Sequence, residues 1–191
     1  MTSNDLKLHD GFDKGIRFSC QGCGRCCKGF EGGDIYIYQN DVKRIFNYFK
    51  LRTEAEMSQF AEKFFRIVDD TFKIGISRSK TFKTLAIKIE RGKEEKCIFL
   101  KEDNSCQIYS ARPYQCSSFP FWRMVVSDEK RFISYKRDCL ALDSNTESGK
   151  NFSVKKIKKL VKKEYKLERR YYNSIKDHGF DITKIYSFLK N

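Results

Sequence analysis

Residues 18–33 read FSCQGCGRCCKGFEGG, a loop in which five of sixteen positions are Gly and four are Cys. The spacing is Cys20-x2-Cys23-x2-Cys26-Cys27. A C-x-x-C pair lets two sulfurs turn toward one ion while the intervening amides donate to them. Gly22 and Gly24 ease that turn, and Cys26 fits the same loop two residues on. Neighbouring side chains in an extended or turning segment diverge. Cys26 and Cys27 are therefore expected to serve two different ions, or one ion and another role. A second block follows, with Cys97, Cys106 and Cys116 separated by eight and then nine residues, and Cys139 further along. Eight sulfurs divide evenly into two four-sulfur sites, which suits zinc or an iron–sulfur cluster. Two groups of sulfurs are expected, each sulfur about 4 Å from a neighbour because Zn–S bonds are about 2.3 Å.

The rest of the chain bounds these readings. With 191 residues it is long enough for one ordinary core, so the eight cysteines are not needed as staples. Phe and Tyr number 17 and 10, too many for a disordered chain. No apolar run is long enough to span a bilayer. The first twenty residues lack the basic and apolar segments of a secretory signal, and no lipidation motif is present. A cytoplasmic location is expected, where thiols stay reduced and clustered cysteines serve as metal or redox groups.

Periodicity outlines an α+β domain organised around the cysteine core, with a long basic C-terminal helix. Asp34–Tyr38 is a short β-prone run, and Asn40 is placed to cap a helix carrying Val42, Ile45, Phe46 and Phe49 at helical spacing. Thr53-Glu54-Ala55-Glu56 fits a capping box. The helix it opens buries Met57, Phe60, Ala61, Phe64 and Phe65. Residues 72–76 and 82–90 alternate as strands do. Residues 153–176 form an amphipathic helix with Val154, Ile157, Val161, Tyr165, Tyr172 and Ile175 near one face, and the tail from Gly179 makes a last short helix. The expected organisation is a polar N-terminal arm over residues 1–17, a metal-binding domain over 18–143 and a basic helical extension over 144–191.

Other chemistry is thin. His9 and His178 both read as surface residues, so a Cys–His nucleophile is poorly supported. No phosphate- or dinucleotide-binding glycine motif is present, and Gly29-x-x-Gly32 is too generic to count. The formal net charge is +14, and residues 151–191 hold 12 Lys and Arg against 4 Asp and Glu. Basicity permits nucleic acid or an acidic protein partner. The Lys pairs at 155–156, 158–159 and 162–163 equally suit the solvated face of an amphipathic helix. Near the cysteines, Pro113 biases Arg112 away from helix. Arg112 is placed to offset thiolate charge, and Phe119-Pro120-Phe121-Trp122 to pack over the sites.

FSCQGCGRCCKG followed by DIYIYQNDVKRIF resembles the CxxCxxCC (YkgJ-type) cysteine-cluster family, a zinc- or iron-chelating domain. CIFLKEDNSCQIYSARPYQCSSFPFW resembles that family's later signature, so the resemblance spans about residues 18–140. Ser117 stands where relatives often carry Arg, and Leu140-Ala141 where they often carry Pro-Gly after the last Cys. The resemblance implies metal chelation by Cys20, Cys23, Cys26, Cys27, Cys97, Cys106, Cys116 and Cys139. A flagellin lysine methylase is a distant relative, which implies as an alternative a metal-dependent protein-modifying enzyme. No residue of this chain independently marks a methyl-donor site.

Overall fold

A computed structural model of the chain describes residues 6–28, 33–73, 79–92, 94–143 and 149–190. The Gly29-x-x-Gly32 stretch lies outside them, as do parts of the expected strand at 72–76 and of the boundary near 144–148. The architecture is α+β, and every strand pairing among the described residues is antiparallel.

The central element is a three-stranded sheet. Strands β1 (Ile16–Phe18) and β2 (Tyr36–Ile37) precede the helices α1 (Gln39–Tyr48) and α2 (Glu54–Phe64). Strands β3 (Phe65–Lys73) and β4 (Ser79–Ile87) follow, and the sheet order is β2-β4-β3. The capping box expected at Thr53 is present, with Thr53 Oγ1 accepting the Glu56 N–H at 3.2 Å and Glu56 accepting the Thr53 N–H at 2.9 Å. Helix α1 is capped two residues ahead of the expected Asn40. Tyr38 is its N-cap, and the carboxylate of buried Asp41 accepts the Tyr38 N–H at 3.2 Å.

The alternating run begins earlier than its hydrophobicity suggests. Phe65 ends the α2 stripe and opens β3 with no intervening loop. The half-buried face of β3 consists of Arg66, Val68, Asp70 and Phe72, so two of its four side chains are charged and the period-two signal is blurred. In β4, Thr84–Ile87 are all buried, as befits a central strand covered on both faces.

Two apolar cores result. The larger joins Ile37, Leu85 and Ile87 of the sheet with Val42, Ile45, Phe46 and Phe60 from α1 and α2. It is completed by Tyr171, Tyr172 and Ile175 of helix α7 (Val154–Asp177), the longest helix among the described residues, which follows four short helices described below. The smaller joins Leu8, Phe12 and Phe18 with Phe121, Val126, Ala141, Ile157 and Val161. Residues 6–17, expected as part of a polar arm, are thus packed: Leu8 and Phe12 are buried, and β1 pairs with β7 (Lys150–Phe152). The basic helix α7 reaches both cores. His9 differs from its surface expectation. Its Nδ1 accepts the Gly11 N–H at 3.1 Å, and its ring lies 4.8 Å from Phe12 and 4.9 Å from Phe132. The tail forms two 3₁₀ turns, Ile182–Lys184 and Ser187–Leu189, instead of one helix. No helix among the described residues is long and apolar enough to cross a membrane.

Candidate metal centre

The first cysteine block lies on the loop after β1 and ends in a 3₁₀ turn, Arg25–Cys27. Gly24 enters that turn at φ +71°, and a Cβ there would stand 2.8 Å from the Asn104 carbonyl oxygen. Asn104 belongs to the loop between Cys97 and Cys106, so the glycine is what lets the two cysteine blocks close on each other. Two further links join them. Lys28 bridges Lys96 in antiparallel sense, and its ammonium lies 3.4 Å from Glu94. Cys97 ends strand β6 (Lys96–Cys97), which pairs with β5 (Ile89–Glu90). Leu100 bridges Cys106, and the Gln107 N–H donates to Phe99 at 2.9 Å, closing a tight hairpin.

Cys116 is carried by the short helix α3 (Tyr114–Ser118). Two side chains hold α3 in place that sequence reasoning did not single out. Asp41 Oδ1 accepts the Tyr114 N–H at 3.0 Å and an Arg44 guanidinium N–H at 2.7 Å. Gln115 Oε1 accepts the Tyr36 N–H at 2.9 Å while its Nε2 donates to the Asp34 carbonyl at 3.0 Å. The signal for Asp41 was its third position in a helix, the capping-box site. Nothing in the sequence marked Gln115.

After α4 (Arg123–Val126), helix α5 (Glu129–Asp138) delivers Cys139 at its C-cap, ahead of α6 (Leu140–Asp143). Phe121 is buried in the smaller core, Phe119 and Cys139 pack against that core, and Trp122 Nε1 donates to the Gln115 carbonyl at 2.8 Å.

All eight cysteines are free thiols. A thiolate at Cys26 would raise Cys97, Cys106, Cys116 and Cys139, one at Cys20 would raise Cys106, and one at Cys23 would raise Cys139. The Cys26 thiol itself is pushed far up, first by hydrogen bonding with the Cys27 side chain and then by burial. Some of its surface remains solvent-accessible, yet protein surrounds it closely enough to desolvate a thiolate. Burial pushes Cys97 up to about 12 and Cys116 well above the ordinary thiol value, and Cys106 and Cys139 also rise by burial. Arg112 opposes this. Its charge lowers Cys26, Cys106 and Cys116, while its Nε donates to the Tyr109 carbonyl at 3.0 Å and its guanidinium lies 3.7 Å from the Tyr109 ring centre.

Cys26 and Cys27 sit in a 3₁₀ turn, where successive side chains step about 120° around the axis. One expectation changes: the sulfurs do not form two tight groups of four. Among the described residues, no three Cys, His, Asp or Glu side chains are arranged to hold an ion. Protonated thiols have no attraction that would draw four of them to a common centre, and metal–thiolate bonds supply it. The donor chemistry nonetheless fits a soft or borderline metal: thiols from both blocks share one neighbourhood, with a cation beside them.

A family model named CxxCxxCC, described as a putative zinc- or iron-chelating domain, matches residues 19–139. The chain belongs to the CxxCxxCC family. The match begins just before Cys20 and ends at Cys139, so the family's segment contains all eight cysteines and leaves α7 outside it. No solved structure matches the chain.

Proposed function

We propose that this CxxCxxCC protein binds zinc or iron through a single cysteine neighbourhood, with Cys20, Cys23, Cys26, Cys27, Cys97, Cys106, Cys116 and Cys139 as the donor set. The observation that carries the reading is the close approach of the two sequence blocks: a Cβ at Gly24 would stand 2.8 Å from the Asn104 carbonyl oxygen, and Lys28 bridges Lys96 next to Cys97. Thiols must lose their protons to ligate, so uptake releases protons and strengthens as pH rises. Arg112 offsets part of the negative charge that thiolate ligation gathers. Zinc would supply a structural crosslink, and an iron–sulfur cluster would add a redox centre. The reading implies a reducing compartment, the cytoplasm, where these thiols stay available.

Anaerobic purification with elemental analysis and an absorption spectrum tests it. The expected result is zinc or iron bound to the wild-type chain and lost from Cys26→Ser. Colourless protein with zinc identifies a zinc site, and brown protein with iron and acid-labile sulfide identifies a cluster. Protein that holds neither metal, and takes up neither when supplied, overturns the reading.

A second reading has one observation in its favour. Lys155, Lys156, Lys158, Lys159, Lys162 and Lys163 are all exposed along α7 while Ile157 and Val161 are buried. That row suits nucleic acid, and retention on nucleic acid that falls steeply with salt tests it. The protein-modifying alternative requires a methyl-donor site, and calorimetry of the isolated chain is expected to detect no S-adenosylmethionine binding.

A further inference from the structure

Helix α7 carries its Lys residues outward, yet two carboxylates interrupt its inward face. Glu164 and Glu168 lie one turn apart between Val161 and Tyr171, both half-buried. Glu164 Oε2 accepts the Arg123 N–H at 2.8 Å. Glu168 makes no hydrogen bond or ion pair among the described residues. Asp70, on the half-buried face of β3, has its Oδ1 held by the Thr71 N–H at 2.7 Å and also lacks an ion pair among the described residues. The neighbouring Asp34 is already paired with Arg66.

Asp70 and Glu168 line a cavity of about 150 Å³ whose aromatic walls include Tyr36, Phe72, Phe82 and Tyr165. Phe72 and Tyr165 are nearly parallel, with centroids 6.0 Å apart. The cavity reaches the surface at Thr71 and Lys73, which are exposed. Lys73 and Arg123 are the cationic side chains lining it. Arg123 acts on Glu168, but neither cation figures among the charges acting on Asp70. Burial raises both carboxylates above their ordinary values. These are two desolvated carboxylates, neither in an ion pair among the described residues, and of the two cations in the lining only Arg123 bears on Glu168.

We propose that this cavity binds the head of an organic ammonium ion, held between Asp70 and Glu168 against the surrounding rings. Ring faces attract a cation within about 6 Å of their centres. A carboxylate adds a charge-assisted hydrogen bond from an ammonium N–H. The two carboxylates repel an anion. A bare divalent metal fits poorly, because Ca²⁺ and Mg²⁺ call for about six or more oxygen ligands, whereas half of the lining residues are aromatic and two are cationic. The volume accepts the end of an alkylammonium chain, whether a free amine or the side chain of a protein lysine. The site stands apart from the cysteines and goes beyond metal binding.

Titration calorimetry on the whole chain tests it with two probes, n-butylammonium and N-acetyl-lysine methylamide, and with n-butanol as the neutral control. The expected result is saturable binding with a dissociation constant on the order of 1 mM and none for butanol. Asp70→Asn is expected to weaken binding about tenfold, with thermal melting showing that the variant folds. Tyr165→Leu, which removes a ring and leaves both carboxylates, is expected to weaken it about threefold. Cys26→Ser is expected to bind as the wild type does. Binding of the lysine derivative identifies a protein side chain as a source, and binding of butylammonium alone identifies a free amine; either sustains the proposal. No binding of either probe, equal binding of butanol, or undiminished binding by a folded Asp70→Asn overturns it.

Discussion

Phe60 has five aromatic neighbours, Phe46, Phe49, Phe64, Phe65 and Phe99, with ring centroids between 4.5 and 6.4 Å away. Cys26 also stands at a meeting point, but the groups around it are thiols that burial holds in the protonated form. The first region gains from its own packing: each buried ring removes apolar surface from water, worth about 1.5–3 kcal/mol, and ring pairs add about 0.5–1.5 kcal/mol. The second shares that core through Cys97, Phe99 and Ile108, but its thiols add little attraction of their own and it has little regular structure. Its first block lies on a loop that ends in a single 3₁₀ turn, and its second rests on a two-residue strand and a five-residue helix. On the proposed metal-binding reading, the difference is one between a body that packing alone orders and a cysteine region that draws its final order from a metal ion.

The comparison breaks most visibly in the body. Phe60→Ala is expected to cost about 3–5 kcal/mol in urea unfolding, a large share of a domain's usual stability. It should do so equally with and without metal. A loss that appears only in metal-loaded protein would mean that the two regions are not separable.

Gly24→Ala probes the other side. The backbone there sits at φ +71°, and the new Cβ meets a carbonyl oxygen 2.8 Å away. A left-handed non-Gly residue costs about 1–2 kcal/mol before any clash is counted. The loss is expected to appear mainly as weakened metal affinity, read by competition with a chelator. The melting of the metal-free chain should change less.

Glu164 sharpens the contrast, because it places a carboxyl inside the wall of the body. Burial pushes its pKa from 4.5 up to about 7. The folded chain therefore binds more protons than the unfolded chain between those values, and stability falls as pH rises through that window. Glu164→Gln keeps an acceptor for the Arg123 N–H and removes the charge. It is expected to flatten this part of the profile and to stabilise the chain above pH 7 by about 1–2 kcal/mol. Urea unfolding at a series of pH values checks it, and an unchanged slope in the variant would remove Glu164 from the explanation.

Legibility followed the kind of force at work. The α1 and α2 stripes, the Thr53 capping box and the α7 helix were readable because apolar spacing and caps are local signals. The start of β3 was not, because Arg66 and Asp70 occupy its half-buried face and find their partners or cavity only in three dimensions. The packing of Leu8 and Phe12 was hidden in a stretch whose composition is polar. Within the candidate site, the cysteine spacing marked the candidate donors, and the nearness of the two blocks emerged only with Gly24 against Asn104. The 3₁₀ turn that holds Cys26 and Cys27 is not specified by residue spacing. Glu164 and Glu168 were visible as letters, but their inward position depends on how α7 lies against β3 and α4.

The central claim is that metal organises the cysteine face while the apolar body folds without it. Native-state hydrogen exchange on metal-loaded and chelated protein tests it most directly, because protection reports the stability of each region separately. The account predicts that chelation lowers protection over residues 19–28, 96–117 and 138–142 and leaves α1, α2, β3 and β4 nearly unchanged. Loss of protection across β3 and β4 together with the cysteine loops, or no change anywhere, would contradict it.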